Sequence, residues 1–379
     1  MRIALCAGET SGDQLGAGLV AAFRERFPGA EFGGIGGDAM RAAGVDTWWD
    51  ADALAVMGLA EVLAHLPRLL KLRRAFRERV RAWEPDVFVG IDAPDFNLGV
   101  EKWLKQRGVR TLHYVSPSVW AWREQRAARI GASADCVLCL FPMEPPIYAR
   151  HGVDAVFVGH PLADAIPLQP DRAAARAALG VPADAPVLAL LPGSRLGEIS
   201  RMLPVFLQAA ALLRRDIPGL HLLVPAANAA CRAAIGATPG ANDPHVRILD
   251  GRAQPAMIAS DVVLLASGTA ALEAMLCKRP MVIGHRISAL THAIVRALGM
   301  LKSAHVSLPN VLAGEALVPE LLQEACTPAN LHAALLRWFQ QPDAVAALQP
   351  RFLTIHETLR RDASAGAAAA IAALVERAR

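Results

Sequence analysis

Residues that could hold a nucleotide diphosphate lie between positions 261 and 273, where the sequence reads DVVLLASGTAALE. The apolar run ends at Ser267-Gly268-Thr269 and a helix-forming run follows, which predicts a strand, a tight turn and a helix N-terminus. Free backbone N–H groups and the positive end of the helix dipole meet at such a terminus and bind anions. Thr269 and Glu273 share one helix face, where the carboxylate could accept both hydroxyls of a ribose. The alternative is a capped helix with a solvated Glu273.

A second anion site is predicted where the apolar run 187–191 continues into PGSRLGE. Gly193 lets the backbone approach a ligand closely, and Ser194 follows it in the same loop. Arg195 then brings a guanidinium that could bind phosphate oxygens in a bidentate way and stabilise a departing diphosphate without a metal. The alternative interpretation is an arginine at a helix entry that pairs with Glu198.

Two carboxylates follow the apolar run 87–91 in the sequence IDAPDFN. Asp92 and Asp95 are three apart at the carboxyl end of a predicted strand, where one could act as a general base for an attacking hydroxyl. The other could orient that hydroxyl or hold the loop, and the spacing does not decide which residue takes the proton. For one of the two, the alternative is a turn that caps the next helix.

Two further loops carry polar or aromatic side chains that could contact a ligand. The first predicted loop contains Ser11 and Asp13 and suits a hydroxyl-rich ligand or its phosphate, although it is not a GxGxxG dinucleotide motif. Asp13 could instead be the N-cap of the helix that follows. The segment 113–123 contains Ser116 and Trp120, and its aromatic content is unusual in a chain with 5% aromatic residues. Its tryptophans could line an acyl or sugar channel, or could belong to the core.

These loops are positioned by strand-like runs that alternate with helical runs from the first residue. Alternation of this kind predicts βαβ units and parallel sheets with right-handed crossovers. The segment 163–186, which holds several prolines, separates two such series and is the predicted domain boundary. We therefore expect two doubly wound α/β domains, 1–164 and 165–350, with ligands at the carboxyl ends of their strands. The helical segment 351–379 could pack back on the first domain.

Composition narrows the classes of protein and partner. The chain has 379 residues, 54% of them hydrophobic, which is enough for two domains. No segment approaches the ~18–20 uninterrupted apolar residues of a membrane span, so a cytoplasmic protein is expected. A net charge of +4 is too small to indicate a nucleic-acid partner. The six cysteines, including the pair Cys136 and Cys139, are expected to be reduced, buried thiols rather than metal ligands.

The stretch 54–80 combines apolar residues with the basic residues Arg68, Lys71, Arg73, Arg74, Arg77 and Arg79. This basic amphipathic pattern is typical of a segment that lies on an anionic bilayer. The alternative is an ordinary crossover helix with a solvated basic face.

Seven motifs that occur in order along the chain resemble those of the lipid-A-disaccharide synthase family, glycosyltransferases of the lipid A pathway. They are SGDQLGA at 11–17, GIDAPDFN at 90–97, YVSPSVWAWR at 114–123, GHPLAD at 159–164, LLPGSR at 190–195, SGTAALE at 267–273 and SLPNVLAG at 307–314. The resemblance extends over essentially the whole chain.

The resemblance implies a GT-B architecture, in which two Rossmann-like domains with doubly wound parallel sheets face a cleft. It implies inverting transfer of 2,3-diacylglucosamine from UDP-2,3-diacylglucosamine to the 6-hydroxyl of 2,3-diacylglucosamine 1-phosphate, with UDP as the second product. It implies no cofactor and no metal, and peripheral association of a cytoplasmic enzyme with the inner membrane. A homodimer is left open.

The resemblance also implies roles for particular residues. Asp95 corresponds to the family's general base, with Asp92 beside it, and Arg195 corresponds to an essential arginine. The substrate-binding candidates are Ser11, Asp13, Asn97, Ser116, Trp120, Gly193, Ser194, Ser267, Gly268, Thr269, Glu273 and Asn310. One departure is His285, where the resemblance leads us to expect tyrosine.

Two classes of alternative stay open. The first is another GT-B enzyme that acts on UDP-GlcNAc-type substrates, such as a MurG-type transferase or a UDP-GlcNAc 2-epimerase. The second is a nucleotide-binding regulator or membrane adaptor whose pocket only senses a ligand.

Overall fold

The computed structural model describes residues 1–54, 59–117, 119, 125–266, 268–287 and 305–377, with the backbone alone for 59–65. The chain divides into two compact units, the first formed by Met1–Asp164 with Leu359–Arg379 and the second by Ala165–Thr358. Each unit contains one parallel sheet flanked by helices. The predicted α/β class with two parallel-sheet domains is therefore confirmed.

The first unit is built on a seven-stranded sheet with the strand order β3-β2-β1-β4-β5-β6-β7. The strands are β1 Arg2–Ala7, β2 Glu31–Gly36, β3 Asp46–Asp50, β4 Val87–Ile91, β5 Arg110–Tyr114, β6 Cys136–Cys139 and β7 Ala155–Phe157. The helices are α1 Thr10–Arg26, α2 Asp38–Ala42, α3 Leu59–Trp83, α4 Pro94–Lys105, α5 Arg126–Gly131, α6 Pro145–Ala149, α7 Pro161–Ala165 and, from the end of the chain, α16 Ala363–Glu376. The order reverses at β1, which pairs with β2 on one side and β4 on the other.

Both faces of this first sheet are buried, which explains why its central strands are continuous apolar runs. Along β1, Ile3 and Leu5 pack in a cluster with side chains of α1 and α16. Ala4 and Cys6 pack in a second cluster with side chains of α3 and α4. Because successive side chains of a strand point to opposite faces, helices cover both sides of the sheet.

The second unit has a six-stranded sheet with the strand order β10-β9-β8-β11-β12-β13. The strands are β8 Val187–Leu191, β9 His221–Ala226, β10 Val246–Asp250, β11 Val262–Leu265, β12 Met281–His285 and β13 Glu320–Leu322. The helices are α8 Arg172–Leu179, α9 Leu196–Asp216, α10 Ala229–Gly236, α11 Ala253–Ala259, α12 Thr269–Leu276, α13 Leu308–Ala313, α14 Pro328–Gln340 and α15 Pro342–Leu359. Here the order reverses at β8, between β9 and β11.

One helix in the described part of the chain, α9, is long and apolar enough to cross a membrane by length and composition alone. Half of its apolar window is buried, and Met202, Phe206 and Leu213 are almost completely buried. This helix also contacts α14. Its apolar composition is therefore explained by packing within the second unit.

Helix α4 begins earlier than the sequence suggests. The apolar pattern predicts a helix from about residue 98, whereas α4 starts at Pro94. Proline is favoured in the first turn because its fixed φ suits a helix and its missing N–H would have had no intrahelical partner. Asp95 and Asn97 therefore lie in the first helical turn rather than in a loop.

Candidate functional site

A cavity of about 380 Å³ lies at the carboxyl ends of the strands of the second sheet. It is lined by Leu191, Gly193, Ser194, Arg195, Glu198, Pro225, Ala226, Ala227, Gly251, Ala253, Ala266, Gly268, Thr269, Ala270 and Glu273. These residues follow or end β8, β9, β10 and β11, so the cavity spans the point where the strand order reverses. Ligands of open α/β sheets bind at such a point.

One wall of this cavity is the N-terminus of α12. Gly268 precedes the helix with φ 129°, a backbone conformation that favours glycine, and Thr269 is the first helical residue. Glu273, one turn further, is partly buried, and burial raises the pKa of its carboxyl group. The predicted strand, turn and helix thus place three of the expected residues on one cavity. Ser267, the fourth, lies outside the described residues.

A second part of the cavity wall is the loop between β8 and α9. Arg195 is the N-cap residue of α9, and its side chain is 75% exposed, which leaves it available to a ligand. Its Nη1 lies 3.6 Å from Glu198 Oε1, so the ion pair of the alternative interpretation exists alongside the cavity position. Glu198 also accepts a hydrogen bond from the Ser194 N–H at 3.1 Å. A Cβ at Gly193 would lie 2.5 Å from the Glu198 Cβ, so only glycine fits there.

The sequence motifs do not indicate the part of the cavity wall at the end of β9 and after β10. Pro225, Ala226, Ala227, Gly251 and Ala253 line it there. These residues carry no group that suggests chemistry, and their only signal is their place after apolar strand-like runs.

In the first unit, the loop between β4 and α4, formed by Asp92 and Ala93, has an uncommon backbone; we call it the Asp92 loop. Asp92 and Ala93 have φ values of 52° and 42°, in the left-handed region that residues with a Cβ rarely adopt. The Asp92 N–H donates to the Tyr114 carbonyl at 2.8 Å, which ties the loop to the end of β5. Asp95, in the first turn of α4, is exposed. Strained backbone of this kind concentrates at functional sites, which supports a role for this loop.

Asn97 is completely buried, and its side-chain amide forms hydrogen bonds with the Asp92 loop and the strand ends beside it. Its Nδ2 lies 2.8 Å from the Asp92 carbonyl, 3.1 Å from the Cys6 carbonyl and 3.3 Å from the Ile91 carbonyl. These bonds join the ends of β1 and β4. Asn97 therefore positions the Asp92 loop instead of offering its amide N–H groups to a ligand.

Asp13 also has a role within the fold. It is 6% exposed, and its carboxylate accepts hydrogen bonds from backbone N–H groups at the start of α2, those of Gly37, Ala39 and Met40. The idea that Asp13 is the N-cap of α1 is wrong, because Glu9 occupies that position and Asp13 caps the neighbouring helix. Ser11, in the first turn of α1, is exposed.

Ser116 follows β5 and is nearly buried. Its hydroxyl lies 2.9 Å from the Tyr148 hydroxyl, and the preceding Val115 has φ 80°, which is strained for a β-branched residue. Trp120, predicted from the same segment, lies outside the described residues.

Asn310 is buried in α13 of the second unit. Its Nδ2 donates to the Val318 carbonyl and to Glu320 Oε1, both at 2.9 Å, and its Oδ1 accepts from the Val318 N–H. Both amide N–H groups are thus used within the protein. The side chain positions the segment around residues 307–320 and is not one of the residues that line the cavity.

Among the described residues, no group of three or more histidine, cysteine, aspartate or glutamate side chains is arranged to hold a metal ion. All six cysteines are buried free thiols. Burial raises the pKa of the Cys136 thiol to about 11, which keeps it protonated.

Comparison with known proteins identifies the family. A family model described as lipid-A-disaccharide synthetase matches residues 3–373. The lipid-A-disaccharide synthase of Xanthomonas euvesicatoria pv. vesicatoria is 65% identical over 378 residues, which cover 99% of this chain and 86% of the relative. The chain belongs to the lipid-A-disaccharide synthase family. A synthase of Xylella fastidiosa (strain M12) is 61% identical over 378 residues, with coverage of 99% and 98%.

Solved structures with the same fold have low sequence identity. The UDP-GlcNAc 2-epimerase of Neisseria meningitidis, solved with bound UDP-GlcNAc, matches with a TM-score of 0.66 and 10% identity over 100% of both chains. CalG4, the calicheamicin glycosyltransferase, matches with a TM-score of 0.58 and 18% identity over 99% of this chain and 98% of its own. These matches confirm the GT-B fold class.

Membership of the lipid-A-disaccharide synthase family confirms the predicted enzyme class, a glycosyltransferase of lipid A biosynthesis. It also implies that the substrates are a sugar nucleotide and a lipid-linked sugar.

Proposed function

We propose that this member of the lipid-A-disaccharide synthase family transfers 2,3-diacylglucosamine from UDP-2,3-diacylglucosamine to the 6-hydroxyl of 2,3-diacylglucosamine 1-phosphate. The products are a β-1,6-linked disaccharide 1-phosphate and UDP. The observation that carries the proposal is the cavity at the N-terminus of α12, where an exposed arginine and a partly buried glutamate flank an anion-binding helix end.

The donor nucleotide binds in this cavity. Its volume lies in the ~300–1,000 Å³ range of small-molecule sites. The α12 N-terminus receives the diphosphate, and Glu273 accepts the ribose hydroxyls. Arg195 stabilises the negative charge that develops on the departing UDP, a task that needs no metal. Two relatives in fold, the Neisseria epimerase and the HepE protein of Anabaena, were solved with UDP-GlcNAc and with UDP and glucose, which supports a UDP site here.

The acceptor is activated in the first unit. Asp95 is an exposed carboxylate in the first turn of α4, and it accepts the proton of the attacking 6-hydroxyl. Attack opposite the departing UDP inverts the anomeric carbon through a transition state with oxocarbenium character. Asp92, which has a positive φ and lies in the loop just before α4, is the alternative base.

Helix α3 makes peripheral contact with the cytoplasmic face of the inner membrane. Leu66 and Leu70 are 42% and 46% exposed, and their spacing of four residues places them on one face of the helix. Lys71 and Arg74 are exposed beside them. Apolar side chains flanked by cations suit an anionic bilayer in which acylated substrates reside.

The purified protein, given both acylated sugars in buffer with EDTA, should form the disaccharide and release UDP. Asp95→Asn and Arg195→Ala should each reduce kcat by about 100-fold or more while the protein stays folded, because each removes a group that acts in the transition state. Chromatography of the lipid products and circular dichroism measure the two results.

Matched controls are available in the same units. Asp38→Asn alters an exposed aspartate in the first turn of α2, and Arg215→Ala alters an exposed arginine at the far end of α9. Both should retain activity. Formation of UDP-ManNAc from UDP-GlcNAc would instead indicate an epimerase, and UDP binding without turnover would indicate a sensor; either outcome contradicts the proposal.

A further inference from the structure

Three polar side chains are completely buried in the interior of the first unit, close to the Asp92 loop. Asn97 and Glu101 lie one turn apart on the same face of α4, and His113 lies on the neighbouring β5. All three have 0% of their surface exposed. A Cβ at Gly90 would clash with Glu101 Oε1 and would lie 3.1 Å from the Asn97 Cγ. The Asn97 and Glu101 side chains therefore converge over this glycine.

The orientation of the Asn97 amide is fixed by its surroundings. Nδ2 faces three backbone carbonyls, the closest being that of Asp92 at 2.8 Å. If the amide were rotated by 180°, its oxygen would face those carbonyls without a proton between them. Oδ1 must therefore point away from the loop, into the protein interior. There it needs a hydrogen-bond donor.

The donor is identified by counting protons in the cluster. His113 Nδ1 lies 2.7 Å from Glu101 Oε1. Within the described part of the chain, Asn97 Oδ1, Glu101 Oε2 and His113 Nε2 have no hydrogen-bond partner. If Glu101 and His113 were an ion pair, two buried acceptors would lack a donor and a charged Nε2–H would lack an acceptor.

A different placement of the protons satisfies these atoms better. If Glu101 is a carboxylic acid with its proton on Oε2, that O–H can donate to Asn97 Oδ1. Neutral His113 then donates from Nδ1 to Glu101 Oε1, and only the lone pair of its Nε2 stays without a bond. No charge is buried in this arrangement, which avoids the cost of desolvating an ion pair.

We propose that Glu101 is a positioning residue for the transfer reaction: it is a carboxylic acid that donates to Asn97 Oδ1 and so orients the amide that holds the Asp92 carbonyl. His113 fixes the other oxygen of Glu101. His113 thus holds Glu101, Glu101 orients Asn97, and Asn97 holds the loop that contains Asp92 and leads into the helical turn of Asp95. The catalytic consequence rests on the proposed function, whereas the position of the proton does not.

The electrostatic environment agrees with a neutral Glu101. Burial raises the pKa of the Glu101 carboxyl, against the opposing effects of His113 and, more weakly, Lys105. The Cys6 thiol on β1 also faces Glu101, and burial raises the pKa of this thiol well above its ordinary value.

The decisive variant is Glu101→Gln, because glutamine has the shape of the protonated acid. Its N–H₂ replaces the O–H as donor to Asn97, and its oxygen still accepts from His113. We expect kcat within about twofold of the wild-type value, whereas Glu101→Ala should lose about tenfold or more in kcat with little change in KM for the donor. We also expect the pH profile of wild-type activity to contain a loss as Glu101 gives up its proton with rising pH, and the profile of Glu101→Gln to lack that loss.

A loss in Glu101→Gln as large as in Glu101→Ala would overturn the proposal, since it would show that a carboxylate is needed. Infrared spectroscopy tests the proton directly: the wild-type minus Glu101→Gln difference spectrum at neutral pH should contain the C=O stretch of a carboxylic acid. A carboxylate band there instead would also overturn it. This spectrum needs no substrate, so it separates failure of this proposal from failure of the proposed reaction.

Discussion

Glu144 is a carboxyl group that the first unit buries almost completely, with 1% of its surface exposed. Its Oε2 accepts from the Phe141 N–H at 3.1 Å, and hydrogen bonds from the Ser116 hydroxyl and the Leu140 N–H favour the charged form. Burial outweighs these bonds and raises the pKa of Glu144 to about 7. The folded protein therefore binds the proton more tightly than the unfolded chain does.

This shift predicts how stability depends on pH. With an unfolded pKa of about 4.3 and a folded pKa of about 7, Glu144 contributes stability that is fully present below the lower value and is lost as pH rises through the higher one. The free energy of unfolding of the first unit should fall by roughly 3 kcal/mol from this group between those pH values. In Glu144→Gln, the free energy of unfolding should lack this decrease with rising pH.

Urea unfolding followed by tryptophan fluorescence measures this effect, because six of the seven tryptophans lie within Met1–Asp164. Glu25→Gln, which alters an exposed glutamate on α1, is the matched control and should keep the wild-type slope. Identical slopes in wild type and Glu144→Gln would show that Glu144 is an ordinary carboxylate.

The sequence could predict residues of the cavity but could not predict the role of the buried Asn97. The sequence places Gly193, Arg195, Thr269 and Glu273 after strand-like runs, and the structure brings them to one cavity. It gives no indication that Asn97 holds backbone carbonyls, because an asparagine at a strand end has the same local pattern whether it faces a ligand or the core. Burial is decided by contacts distant in sequence, such as that of Asn97 with Cys6.

At the scale of elements, α3 separates its basic residues into two groups. Arg77 and Arg79 lie over the rings of Trp103 and Trp48, so they contribute to packing within the first unit. Lys71 and Arg74 are exposed near Leu66 and Leu70. The sequence pattern alone treats all the basic residues alike, whereas the structure leaves only some of them available to a bilayer.

The double variant Lys71→Glu, Arg74→Glu should therefore weaken binding to anionic vesicles by at least ~10-fold, since each basic residue near the surface contributes ~1 kcal/mol. Co-sedimentation with vesicles of phosphatidylglycerol and phosphatidylethanolamine measures it. Lys102→Glu with Arg129→Glu makes the same change in net charge at exposed sites on α4 and α5, and should bind as the wild type does. Equal losses in the two double variants would mean that net charge, and not this face of α3, determines binding.

The glycine-rich strand β2 is one of the elements that the sequence pattern did not predict. In strand β2, EFGGIG, three of the six residues are glycine, a residue that is depleted in strands, and only Phe32 and Ile35 favour a strand. Its glycines are required by neighbours, since a Cβ at Gly33 would lie 2.5 Å from Cζ2 of Trp48 on β3. Such a requirement comes from the adjacent strand and has no signal in the local sequence.

At the scale of the whole chain, the last helix belongs to the first unit. Ile371 and Val375 of α16 pack in the same core cluster as Leu19 and Phe23 of α1. The Asp164 carboxylate accepts hydrogen bonds from the N–H groups that begin this helix, those of Asp362 and Ala363. The first unit is therefore complete only after the end of the chain has been made.

Ile371→Ala should accordingly destabilise the first unit by about 2–4 kcal/mol, because it removes three carbons from a side chain with 0% exposure. UDP affinity should not change, since the described residues that line the cavity all lie in the second unit. Tryptophan-detected urea unfolding and calorimetric titration with UDP measure the two quantities. Ala369→Ser alters an exposed position of the same helix and should change neither. A large loss of UDP affinity in Ile371→Ala would show that the nucleotide site depends on the packing of α16 and would contradict this prediction.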